Sequence, residues 1–127
     1  MREGRIDIIG AGGIGVALAV ALRRAGREVC LVDTVAEKLA DGDRLGIAVA
    51  GFPAERCELR DFRDWAPVPG VPVLLCTKTF DNAGVLARLP ADTPLVPVQN
   101  GYDPALEARR ARPAGQDDRH RRALRRG

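Results

Sequence analysis

The chain has 127 residues, 46% hydrophobic and 29% charged, with 14 glycines, nine prolines and three cysteines. That length gives one domain around one core and is too short for a cofactor domain followed by a substrate domain. The formal charge of +3 is unevenly placed: residues 109–127 carry eight arginines and two aspartates, a local +6, so residues 1–108 carry −3 and the basic character belongs to the tail. Cys30, Cys57 and Cys76 are odd in number and lack C-x-x-C spacing, which argues against a disulfide framework and reads as small buried residues in a reducing cytosol. The sole histidine, His120, lies in the tail, so the sequence supports no metal site.

The first element reads as a short strand, Ile6-Asp7-Ile8-Ile9, emptying into the turn Gly10-Ala11-Gly12-Gly13-Ile14-Gly15. Gly10, Gly12 and Gly15 fit G-x-G-x-x-G. In that pattern Gly10 lets the chain turn off the strand, Gly12 lets a pyrophosphate approach the backbone, and Gly15 lets the next helix pack on the sheet. The unpaired N–H groups at the start of that helix, at the positive end of its dipole, attract phosphate oxygens. The helix is predicted over 13–25, with Val16, Leu18, Ala19, Ala21 and Leu22 apolar, Arg23 and Arg24 near its end, and Gly26 as the stop. The uncharged run 8–22 is interrupted by four glycines and lacks a clear cleavage site, so it is not read as a signal-peptide core. It is also too short to span a bilayer, and the chain is read as soluble and cytoplasmic.

The second strand runs from Glu28 to Asp33, with Val29-Cys30-Leu31-Val32 as a buried parallel run. Asp33 falls about twenty residues beyond the glycines, where a carboxylate accepts hydrogen bonds from adenosine ribose hydroxyls and repels the extra phosphate of NADP. Thr34, Val35 and Ala36 follow with no arginine to clamp that phosphate, so NAD is favoured over NADP. Taken alone, this unit separates nicotinamide dinucleotides poorly from FAD or S-adenosylmethionine, and a Rossmann-like unit without ligand is the plainer alternative.

Beyond Asp33 the order is coarser. Residues 36–45 are polar, helical or irregular; 46–51 read as a short strand between glycines; and 55–59 as an extended piece. Residues 60–70 are charged and proline-bearing, with Phe62 and Trp65 as anchors onto the core. Val71–Thr77 is a buried strand with Pro72 near its start, where a missing N–H is tolerated. A helix over 79–89 follows, capped by Thr79 or Asp81. Pro94–Val98 is a further strand ending at Gln99-Asn100-Gly101, and a last helix begins over 104–111. The alternation of strand and helix predicts an α/β fold, a Rossmann-like doubly wound parallel sheet, incomplete and followed by a disordered basic tail. The expected boundaries are a dinucleotide-binding domain over 1–108 and an arginine-rich tail over 109–127.

The turn Gly10–Gly15, the run Cys76-Thr77-Lys78-Thr79 after one strand and Gln99-Asn100-Gly101 after the next together resemble the ketopantoate reductase (2-dehydropantoate 2-reductase) family over roughly residues 4–108. The resemblance implies an oxidoreductase of the pantothenate pathway that reduces a small 2-keto acid to a 2-hydroxy acid with a nicotinamide cofactor, usually NADPH. It implies an N-terminal Rossmann domain and a C-terminal helical domain with the active site between them. By the same resemblance Gly10, Ala11, Gly12, Gly13, Ile14 and Gly15 hold the pyrophosphate, Lys78 contacts the cofactor near its ribose, and Asn100 lies beside the nicotinamide and substrate as the catalytic position carried by this chain. Both residues follow strand ends at which open α/β sheets bind ligands. Each also has a plainer reading, a surface lysine and a turn asparagine before glycine.

Two departures bear on function. Asp33 stands where NADPH-preferring members commonly have an arginine nearby, which questions both NADPH and ketopantoate itself. The helical domain that supplies the family's catalytic lysine has no counterpart here, so the chain is read as a truncated or frameshifted front half, inactive or severely impaired alone. Its rivals are a stand-alone NAD-binding or redox-sensing module, held by a partner or as an oligomer, and a basic-tailed nucleic-acid binder. The tail has no aromatic for base stacking, which disfavours the last.

Overall fold

The computed structural model describes residues 4–77, 82–99 and 104–110. In chain order the elements are β1 (Ile6–Ile9), α1 (Gly13–Arg24), β2 (Val29–Asp33), α2 (Ala36–Leu45), β3 (Glu58–Asp61), β4 (Val73–Leu75), α3 (Asn82–Leu86), β5 (Leu95–Pro97) and α4 (Pro104–Arg110). The five strands form one all-parallel sheet in the order β3-β2-β1-β4-β5. These are the first positions of the dinucleotide-binding order 3-2-1-4-5-6, so the sheet is Rossmann-like and incomplete. Strand order reverses between β1 and β4, and that reversal places a crevice at their carboxyl ends.

Strand periodicity sorts the core into two layers. Ile8, Val29 and Leu31 face Ala19 and Val20 of α1, with Leu59 and Leu74 on the same side. Ile9, Cys30, Val32, Val73 and Leu75 face the other way, against Trp65, Val85, Leu89 and Leu106. Burial on both faces explains why β2 reads as a continuous apolar run rather than an alternating one.

Asp7 interrupts this pattern. It is fully buried, and its Oδ1 accepts a hydrogen bond from Arg5 Nε at 2.9 Å while Oδ2 accepts one from Trp65 Nε1 at 3.0 Å. A buried carboxylate is stable only with such partners. Here the pairing ties the connection between β3 and β4 to the first strand. Arg88, just past α3, holds the same connection from the other side: its guanidinium donates to the Phe62 and Trp65 carbonyls and lies 4.3 Å from the Phe62 ring centre. Phe62 and Trp65 are therefore the anchors the sequence indicated, Trp65 buried and Phe62 half-buried.

Several boundaries differ from expectation. Residues 46–51 make no strand of the sheet; Ile47 forms one isolated antiparallel bridge with Glu55. Gly46 and Gly51 have φ of 79° and 89°, so the chain bends at both ends of that run. The extended piece 55–59 divides between this bridge and β3. Residues 36–45 are helical, as α2. β4 and β5 are shorter than predicted, although ladder bonds continue beyond them, from Cys76 N–H to the Ile9 carbonyl and from Val98 N–H to the Leu75 carbonyl. The caps Thr79 and Asp81 and the tail beyond Arg110 lie outside the described residues. No helix among the described residues is long and apolar enough to cross a membrane.

Candidate functional site

The glycine turn leaves β1 at Gly10, whose N–H donates to the Val32 carbonyl at 2.8 Å. Gly10 has φ of 110°, and a Cβ there would lie 2.8 Å from the Cys76 carbonyl carbon and 2.9 Å from Thr77 N. No other residue fits that conformation and that approach. A Cβ on Gly15 would come within 1.8 Å of the Gly10 carbonyl oxygen, so the first turn of α1 rests directly on the end of β1. Gly12 and Gly13 are different: among the described residues, no packing neighbour lies within 4 Å of a Cβ built on either. The packing of the described residues does not require glycine at these positions. The space in front of Gly12 therefore exposes bare backbone to the crevice. Gly12 caps α1, which has no acidic residue in its first turn. Ile14 is half exposed.

Asp33 closes β2 on the other side of this turn. Its Oδ2 accepts the Ala11 N–H at 2.7 Å, and its Oδ1 accepts the N–H groups of Thr34 at 2.7 Å and Val35 at 2.9 Å. The carboxylate thus binds the glycine turn to the start of α2. Each carboxylate oxygen has two lone-pair positions. Oδ1 has both filled by backbone N–H groups, and Oδ2 has one filled, by Ala11. A cavity of about 460 Å³ opens here, lined by Gly10, Ala11, Gly12 and Asp33, by Lys38 of α2, and across the crevice by Phe62, Cys76, Thr77 and Val85. It joins an acidic rim to an apolar floor, a lining that suits a nucleoside.

The far wall is built where β4 and β5 end. Gln99 Nε2 donates to the Thr77 carbonyl and, at 2.7 Å, to Asn82 Oδ1; Asn82 Nδ2 donates back to Gln99 Oε1 at 2.8 Å. Thr77 Oγ1 donates to Asn82 Oδ1 at 3.2 Å. Asn82 is fully buried. Lys78 and Asn100, which follow Thr77 and Gln99 in the chain, lie outside the described residues.

Burial pushes the Cys76 thiol above its usual range, Cys57 up to about 11 and Cys30 further still. All three cysteines are free. None is activated as a nucleophile, because burial disfavours the thiolate. Among the described residues, no cluster of His, Cys, Asp and Glu is placed to hold a metal ion.

Of the expected site residues, Gly10, Ala11, Gly12 and Asp33 converge on one cavity, while Gly13, Ile14 and Gly15 form the first turn of α1 beside it. Sequence reasoning missed Lys38, Phe62, Thr77, Asn82 and Gln99. Lys38 was hidden in a polar helix. Phe62 was read as a core anchor, although it also floors the cavity. Gln99 opens the Gln99-Asn100-Gly101 run, and its partner seventeen positions earlier carries no signal in the sequence.

A parallel sheet reversing at a glycine turn, with an acid closing its second strand, defines a nucleotide-binding domain of the Rossmann class. The family model of ketopantoate reductase PanE/ApbA matches residues 6–117, and the chain belongs to that family, whose members are NAD(P)H-dependent oxidoreductases. No curated protein and no solved structure shows significant similarity to the chain.

Proposed function

We propose that residues 1–108 are the nicotinamide-dinucleotide-binding domain of an enzyme that reduces a 2-keto acid resembling 2-dehydropantoate to the 2-hydroxy acid, and that this domain favours NAD(H) over NADP(H). The single observation behind the cofactor preference is Asp33, which lines the cavity next to the open backbone at Gly12. Oδ2 has one acceptor position left for a ribose hydroxyl. A 2′-phosphate in the same place would meet a carboxylate that backbone N–H groups hold fixed, and Glu37 adds a second negative charge in the first turn of α2. Lys38 offsets part of this field and does not remove it, since Asp33 stands on the strand end itself.

The cofactor supplies the hydride when bound; the chain's own part is to hold and orient. Gly12 admits the pyrophosphate, the first N–H groups of α1 face its charge, and the apolar floor of Phe62 and Val85 takes the adenosine side. In this reading Lys78 reaches a ribose and Asn100 orients the nicotinamide carboxamide and the substrate oxygen. A helical domain of the family's kind completes the cleft and brings the proton donor. The part these residues play is to bind and orient the cofactor. Its free cysteines suit a reducing, cytoplasmic setting.

Fluorescence titration of the full chain with NADH and NADPH tests this. NADH is expected to bind the more tightly, and Gly12→Val to abolish binding of both with an unchanged circular dichroism spectrum. Tighter NADPH binding would overturn the preference. Binding that survives Gly12→Val would overturn the site.

A further inference from the structure

We propose that Gln99 and Asn82 are positioning residues that fix the crevice wall facing the glycine turn, and that this wall sets how the nicotinamide half of a dinucleotide is held; the inference rests on the cofactor reading above. Gln99 and Asn82 form a reciprocal amide pair, with bonds of 2.8 and 2.7 Å in the two directions. The orientation of Gln99 is fixed by chemistry: the Thr77 carbonyl accepts only, so the amide nitrogen must face it. Both N–H groups of that nitrogen are used, one on Asn82 and one on Thr77. Asn82 Oδ1 also receives the Thr77 hydroxyl.

This network joins three chain segments at the carboxyl edge: the exit of β4, the start of α3 and the exit of β5. It is separate from the apolar clusters that hold the sheet together. A fully buried asparagine and a half-buried glutamine are a costly way to fill space unless each is paired, and an aliphatic pair would fill it without that cost. The pairing fixes direction, which aliphatic packing does not.

Direction matters here because of what touches the other side of Thr77. The Cys76–Thr77 peptide is the group against which Gly10 packs, at 2.8–2.9 Å from a Gly10 Cβ position. That contact seats the turn side of the Cys76–Thr77 peptide by itself, so loss of the clamp is felt on the Gln99 side of Thr77 rather than at the glycine turn. Thr77 and Gln99 also directly precede Lys78 and Asn100 in sequence, so the clamp holds the residue before each of them.

Binding of NADH and ADP to the full chain and to Gln99→Leu separates this role from a general structural one. ADP reaches only the glycine turn and the Asp33 side; NADH also meets the clamped wall. The variant is expected to bind ADP within about twofold of the parent and NADH about tenfold more weakly. Equal losses for the two ligands, or no loss, would overturn the inference. If Gln99→Leu does not fold, Asn82→Asp decides: it keeps the size and the acceptor oxygen and removes the donor to Gln99 Oε1, and a selective NADH loss is again required. A parent chain that binds neither ligand would overturn the cofactor reading itself.

Discussion

The backbone N–H of Ala11 and the carboxylate of Asp33, 22 residues apart, are joined by a 2.7 Å hydrogen bond. The bond connects the middle of the glycine turn to the end of β2, and through Asp33 Oδ1 to the start of α2. Asp33 is thus a structural tie as well as a charge at the crevice, and the two roles separate by substitution.

Asp33→Ala leaves three backbone N–H groups without their acceptor. Those of Thr34 and Val35 are exposed and water replaces the carboxylate, so the stability loss is expected near about 1–2 kcal/mol, mostly from Ala11. The affinity ratio should move toward NADPH by about tenfold, as a charge-assisted bond and a repulsion are both removed. Thermal melting and paired titrations check this; an unchanged ratio would show that Asp33 acts on the turn alone.

The three motif glycines should fail in different ways. Gly10→Ala places a side chain at φ of 110° and 2.8 Å from the Cys76 backbone, and Gly15→Ala places one 1.8 Å from the Gly10 carbonyl oxygen. Each is expected to cost about 3 kcal/mol or more through strain and overpacking. Gly12→Ala meets no neighbour among the described residues and should change stability by less than about 0.5 kcal/mol. Chemical denaturation of the three variants beside NADH titration gives both quantities.

Legibility in the sequence followed the range of the interactions. β1, the turn, α1 and β2 were readable because apolar periodicity and glycine spacing are local, and α1 ends one residue from its expected limit. Residues 46–51 misled because an apolar run between glycines has a strand's composition, yet its only ladder partner among the described residues is Glu55. Asp7 gave no sign of its role. An aspartate in an apolar run is explained by Trp65, which lies 58 residues on and meets it only after the sheet has formed. The Asn82–Gln99 pair was invisible for the same reason. Asp33 was found by its distance from the glycines, but that distance said nothing of the three N–H groups it accepts.

Asp7→Leu tests the buried ion pair. Removing the carboxylate leaves the Trp65 indole N–H without its acceptor in the core and leaves Arg5 with Glu58 at 3.6 Å, so the loss is expected at the lower end of the cost of breaking a buried pair from one side, about 3 kcal/mol. Trp65 is the chain's single tryptophan, so its emission reports the site directly. A melting temperature equal to the parent's would show that the contact holds nothing in place.

Cys76 offers a footprint of the crevice. It lines the cavity beside Gly10 and Gly12, half-buried, and burial raises its thiol above the ordinary value. The thiolate is the reactive form, so a raised pKa makes alkylation at pH 7.5 slower than for an exposed cysteine, and the rate climbs about tenfold per pH unit until the thiol titrates. Cys57, pushed up to about 11, and the fully buried Cys30 should lag behind it at pH 9. Both lie in a separate pocket at the opposite end of the strands, with Glu28 and Glu58. NADH should therefore slow modification of Cys76 in peptide maps and leave Cys57 unchanged. Equal slowing at both would mean that the ligand tightens the whole fold rather than filling the crevice, and the assignment of the cavity to the dinucleotide would fail.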